Sequence, residues 1–117
     1  MRRPMAYISA AWGNNEFENT ETAFKYCRQL YEAGYTPMCP LLFLPLYLND
    51  EIPQEHKDGV DIARDMLRRC RVLIVCGDVI DENVKNDITT AERLRITATT
   101  LEGILTVKGY GRLKNDC

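Results

Sequence analysis

A chain of 117 residues, 45% hydrophobic and 27% charged, holds enough apolar surface for one folded domain and too much for a disordered segment. Fifteen basic residues against seventeen acidic ones leave a net charge of -2, and no basic run is longer than Arg2-Arg3 or Arg68-Arg69. That balance argues against a nucleic-acid polymer or a membrane surface as partner.

The five cysteines, Cys27, Cys39, Cys70, Cys76 and Cys117, form no CxxC pair. Four of them lie inside apolar patterns, so reduced, buried thiols and a cytoplasmic location are expected. The apolar run near the N-terminus spans about seven residues, too short for a membrane span and poor as a signal peptide. With no repeat, low-complexity tract or linker, residues 1–117 read as a single domain.

In chain order, "MAYISAA" (Met5 to Ala11) lies between Pro4 and Gly13-Asn14-Asn15 and predicts a strand buried on both faces. Phe17, Thr20, Phe24, Cys27 and Tyr31, with Ala23 and Leu30 beside them, predict the inward face of a first helix that stops at Gly34. A second strand is expected over Tyr35 to Cys39. "LLFLPLYLNDEIPQEHKDG" is broken by Pro45 and Pro53 and predicts a loop with at most a turn or two of helix. Its Leu41 to Leu48 part is apolar enough to cover the domain body or a partner subunit. Val60, Ala63, Met66, Leu67 and Cys70 predict a second helix from about Gln54 to Arg69. "RVLIVCG" is the clearest strand, Val84, Ile88, Ala91 and Leu94 mark a third helix, and "EGILTV" is expected as the last strand.

Alternation of strand and helix implies a mostly parallel sheet of four to five strands with helices on both faces, a flavodoxin-like or Rossmann-like three-layer α/β sandwich. Ligands in such sheets sit beyond the carboxyl ends of the strands, where the strand order reverses. In the flavodoxin-like order this point involves the loops Ser9 to Asn15 and Gly77 to Asn83.

The second loop carries "CGDVIDENVKND", and the helix that follows it presents free N–H groups and a partial positive charge. It therefore reads as a capped helix start or as an anion or hydroxyl cradle. Asp87 falls one turn inside that helix, toward the strand ends. Asn14, Asn15 and Asn19 can bond sugar or base edges, or serve as turn and cap residues. Seven glycines without GxGxxG or GxxxxGK remove the dinucleotide and P-loop readings. His56, the only histidine, reads as a surface residue, with a catalytic role as the alternative. No metal-ligand spacing and no calcium-loop pattern occur, and Ser9 has no triad order around it. Neither a metal nor a cofactor is expected.

"AYISAAWG", "NTETAFKYCRQLYEAGYTPMCP" with Asn19, Ala23, Tyr26, Cys27, Gly34 and Pro40, then "MLRRCRVLIVCGD" and "DENVKNDITTAERLRI" together resemble the nucleoside 2-deoxyribosyltransferase-like superfamily. The resemblance runs from Tyr7 to about Val107. It extends to a small bacterial and phage branch without assigned function. It implies a carboxylate on the third helix that attacks the anomeric carbon of a deoxyribonucleoside or its 5'-monophosphate, in the manner of a retaining glycosidase. Carried over, Asp87 is the nucleophile and Tyr7 orients it. Ser9, Gly13 and Asn14 line the sugar or phosphate pocket, joined by Asn19, Gly77, Asp81 and Asn83. Pockets in the superfamily are often completed by a neighbouring subunit, so a homodimer or higher homo-oligomer is implied, with Leu41 to Leu48 as a candidate contact.

The run up to and including the nucleophile departs from the pattern. The Ser-x-Gly-Met that precedes the nucleophile is "DENV", with Asp81 for the hydroxyl residue and Asn83 for the glycine. Asp87 stands for a glutamate and is one C–C bond shorter, about 1.5 Å, where an error of about 1 Å costs on the order of a hundredfold in rate. Asp81 also adds charge that repels a 5'-phosphate. The expectation is a nucleoside- or nucleotide-binding protein that keeps the pocket without turnover. The alternatives are an active N-glycosidase or deoxyribosyltransferase, and a non-catalytic structural or interaction protein.

Overall fold

The computed structural model describes residues 3–107. Strands β1 (Met5–Ala10), β2 (Thr36–Met38), β3 (Val72–Cys76) and β4 (Thr97–Thr100) form one sheet in the order β2-β1-β3-β4. All pairings are parallel, with Ile8 opposite Ile74 and Ile74 opposite Thr99 in the two central ladders. Parallel strands need long crossovers. These are supplied by α1 (Glu16–Glu32), by a 3-10 turn (Pro40–Leu42) with the short α2 (Leu44–Tyr47) and α3 (Pro53–Arg68), and by α4 (Glu82–Arg93). Residues 101–107 form a further helix, α5. The described residues form an α/β domain with a four-stranded, all-parallel, flavodoxin/Rossmann-like sheet.

The twofold periodicity of the strands divides the core. Ala6, Ile8 and Ala10 of β1, with Val72, Ile74 and Cys76 of β3, pack against Ala23 and Leu30 of α1 and Leu101 of α5. Tyr7, Leu73 and Val75 point the other way and meet Leu67 of α3 and Val84 and Ala91 of α4. Every residue of β3 is buried, and covering a large aliphatic side chain such as Leu73 contributes roughly 1.5–3 kcal/mol. Cys39, Cys70 and Cys76 are buried free thiols and Cys27 is half-buried; Cys117 lies outside the described residues. The neighbouring Cys39 thiol lowers the pKa of the Cys27 thiol, against the opposing effect of burial.

Two expectations need correction. "EGILTV" is not the last strand: β4 is the preceding Thr97–Thr100, and residues 101–107 are helical. β4 is an edge strand with three of four residues exposed, so it carries no apolar run; its β-branched threonines suit extended backbone instead. Thr100 Oγ1 then accepts from Gly103 N at 3.0 Å, the bond of an N-cap, and Leu101, Ile104 and Leu105 repeat at helical spacing onto the core. The second correction concerns α1. Its inward face is Ala23 and Leu30, with Tyr26 and Cys27 beside them, whereas Phe17, Phe24 and Tyr31 are 73%, 58% and 50% exposed. The stripe through Ala23 and Leu30 faces the sheet, and Phe17, Phe24 and Tyr31, each one residue further along the helix than positions 16, 23 and 30, are turned outward.

Helix ends follow local chemistry. α1 starts at Asn15, whose side chain accepts from Glu18 N, and stops where Gly34 takes φ 99° while Tyr35 N bonds Leu30 O and Gly34 N bonds Tyr31 O. α4 ends by the same pair of bonds, Ile96 N to Ala91 O and Arg95 N to Glu92 O, but the left-handed residue is Arg95 at φ 58°. The Leu41 to Leu48 segment is divided. Leu41 and Leu42 pack on the core, while Leu46 and Tyr47 face solvent.

Candidate functional site

β1 and β3 are neighbours in the sheet although β2 intervenes in sequence, so the chain reverses its direction of winding between them. The loops after both strands leave from the same edge. Gly77, immediately after β3, has φ 84°, a conformation that favours glycine, and a Cβ there would stand 3.2 Å from the Tyr26 hydroxyl. The loop then runs to Asp81, whose Oδ1 accepts from Val84 N at 2.9 Å and caps α4. Val84 is fully buried and anchors the first turn of α4 against the sheet.

That anchoring brings Asp87, one turn further on, over β1. Ser9, with 2% exposure the buried polar residue of the core, donates from Oγ to Asp87 Oδ2 at 2.7 Å. Ser9 and Tyr7 are two residues apart on one strand and share the face toward α3 and α4. Burial raises the Asp87 pKa first of all; the Ser9 hydrogen bond lowers it, the Asp81 charge raises it, and Arg64 on α3 lowers it. Tyr7 is 6% exposed, and burial followed by the charge of Asp87 pushes its phenol well above the ordinary value. Four groups on three elements thus meet electrostatically: Tyr7 and Ser9 from β1, Asp87 from α4 and Arg64 from α3. The hydrogen bond to the carboxylate comes from Ser9 and not from Tyr7.

The other expected residues are less convergent. Gly13 and Asn19 bind one another: Gly13 N donates to Asn19 Oδ1 at 3.0 Å and Asn19 Nδ2 donates to Gly13 O at 2.8 Å. Both ends of that amide are occupied in shaping the loop after β1. Asn14 is exposed in the same loop, and Asn83 is exposed on the first turn of α4. His56 is exposed at the start of α3, where its Nδ1 lies 2.6 Å from Asp50 Oδ1. Arg64 had no signal in the sequence beyond its place in a helical repeat. Packing of α3 beside α4 is what aligns it with Asp87.

A charged carboxylate held by a buried hydroxyl can act as a hydrogen-bond acceptor for a ligand or as a nucleophile. No group of three or more His, Cys, Asp or Glu among the described residues is placed to hold a metal ion. No helix among them is long and apolar enough to cross a membrane. A depression of about 420 Å3, lined by Arg3, Pro4, Met5, Arg69 and Arg71, opens at the amino ends of β1 and β3, the opposite end from the loops described above. It is therefore separate from the Asp87 group.

No curated protein matches the chain. A family model does match, over residues 4–101, and that span takes in every strand, Tyr7, Ser9 and Asp87. The chain accordingly belongs to the family described as domain of unknown function DUF7768.

Proposed function

We propose that this protein binds a nucleoside or nucleotide at the switch point between β1 and β3, with the sugar directed at Asp87. The observation that carries the reading is the Ser9–Asp87 hydrogen bond, which sets a half-buried carboxylate beside the crevice where ligands of parallel α/β sheets bind. A ribose or deoxyribose offers hydroxyl donors that a carboxylate accepts. The exposed amide of Asn14 and the Gly77–Asp81 loop supply polar groups at the same edge for the base. Resemblance to the nucleoside 2-deoxyribosyltransferase-like superfamily points to the same ligand class.

Binding without turnover is favoured over catalysis because the second acid is engaged elsewhere. Glycosidic cleavage needs one carboxylate to attack the anomeric carbon and a second group to protonate the departing base. Asp81, the nearest acid by its effect on Asp87, spends Oδ1 on the α4 cap. The catalytic reading has its own support in the Ser9 hydrogen bond, which holds the Asp87 carboxylate in one orientation while leaving Oδ1 for the sugar. On that reading Asp87 Oδ1 bonds the anomeric carbon, the base leaves with a proton from solvent, and water then cleaves the ester. Such a protein would function as an N-glycosidase.

Thermal unfolding with a panel of nucleosides, nucleoside monophosphates and nucleotide-sugars tests the binding reading, and chromatography of the same mixtures detects free base. Saturable stabilisation without base release is expected. Unchanged melting with every ligand removes the binding reading; base release that Asp87→Ala abolishes replaces it with the enzymatic one.

A further inference from the structure

We propose that the outer face of α1 is a homodimer interface, in which α1 of one copy packs antiparallel on α1 of a second copy about Phe24. Phe17, Phe24 and Tyr31 recur every seven residues and are 73%, 58% and 50% exposed, while Ala23 and Leu30 on the adjoining face are fully covered by the sheet. Seven-residue spacing draws a stripe nearly parallel to the helix axis, the arrangement by which one helix seats on another. Single exposed apolar residues are ordinary on a soluble domain, but a line of three large rings along one helix is a patch. At these exposures the rings offer on the order of 350 Å2, nearly half of the roughly 800 Å2 per partner in a standard interface. The stems of Glu21 and Arg28 widen the patch along one side.

Charge selects the occupant and its direction. The first half of α1 carries Glu16, Glu18 and Glu21, a charge of -3, and the second half carries Lys25, Arg28 and Glu32, a net charge of +1. Glu21 and Arg28 are themselves seven residues apart, so they flank the aromatic stripe on the same side. An antiparallel pair related by a twofold axis through Phe24 keeps that side facing itself. It brings Glu21 of each copy to Arg28 of the other and Phe17 to Tyr31, each contact made twice. A parallel pair would set acidic half beside acidic half. Arg28 now bonds Glu32 at 2.8 Å on the exposed surface and lies 5.2 Å from the Tyr31 ring centroid, so it already borders the stripe. α1 covers the sheet face opposite to the one that carries Asp87. The interface leaves the proposed ligand site open and does not depend on it.

Sedimentation velocity across a hundredfold dilution series at low salt tests the proposal. The expected species has about twice the 13.5 kDa mass of the chain. Phe24→Asp should raise the dissociation constant more than ~30-fold, with an unchanged circular-dichroism spectrum, since the residue is exposed. Glu21→Lys should weaken association about tenfold, and Glu21→Lys with Arg28→Glu should restore it. A wild-type monomer at every concentration, or a dimer untouched by Phe24→Asp, overturns the interface. Failure of the double exchange to recover what the single change lost overturns the antiparallel register.

Discussion

Ser9→Ala isolates the contact on which the candidate site rests. Ser9 is 2% exposed and its Oγ donates to Asp87 Oδ2 at 2.7 Å. The substitution removes one oxygen, so packing changes little and the loss is the hydrogen bond itself. Such a bond is worth about 1.5–3 kcal/mol to an ionised acceptor and about 1 kcal/mol to a neutral one. Burial raises the Asp87 pKa above the ordinary aspartate value, against the lowering effects of Ser9 and Arg64. The unfolded chain therefore releases this proton at lower pH than the folded protein. Between the two pKa values the native state holds more protons, so stability falls as pH rises through that window and levels off above it. Ser9→Ala moves the folded pKa further up and deepens the fall. Urea denaturation should show a loss of about 2 kcal/mol in mildly alkaline buffer and about 1 kcal/mol where Asp87 is protonated. In a thermal scan, at about 4 °C per kcal/mol, the alkaline loss reads as about 8 °C. An equal loss at both ends of the pH range, or none at either, would refute the claim that Ser9 stabilises the charged form of Asp87.

Asp87→Asn keeps an oxygen that accepts from Ser9 and removes the buried charge. It should be more stable than the wild type above the folded pKa of Asp87 and lose the pH slope described above, as followed by thermal melts across pH; a melting curve that keeps the slope assigns it to another group. Gly77→Ala forces an alanine into φ 84° with its Cβ 3.2 Å from the Tyr26 hydroxyl, whereas Gly34→Ala at φ 99° meets nothing within 4 Å. Each should cost about 1–2 kcal/mol for the left-handed backbone, with Gly77→Ala the larger by urea denaturation; equal losses would mean that Tyr26 yields freely. Arg95→Gly relieves the left-handed residue that ends α4 and should stabilise by roughly 0.5–1 kcal/mol in the same assay, with destabilisation counting against the strain account.

Much of the fold was legible because burial writes itself into composition and period. The continuous apolar runs of β1 and β3, the Asn15 cap and the Gly34 stop all describe local choices, and their order implies a parallel sheet with its crevice after β1 and β3. The edge strand was illegible because Thr97–Thr100 is held by backbone pairing to β3 and exposes its side chains. The stop at Arg95 carries no glycine to announce it. The outward turn of Phe17, Phe24 and Tyr31 was equally hidden, since two overlapping stripes on α1 satisfy helical spacing and only packing on the sheet selects the one through Ala23 and Leu30.

For the site, sequence alone determined that acids and amides follow β3 and that Asp87 lies one turn into α4. Tertiary structure decided what those residues meet. It spent Asp81 on a cap and Asn19 on Gly13, and it brought Ser9 of β1, 78 residues away in the chain, to 2.7 Å from Asp87 with Arg64 of α3 nearby. Capping depends on atoms three residues apart and can be read locally, whereas the pairing of Ser9 with Asp87 depends on how helix and sheet pack, which no local pattern specifies.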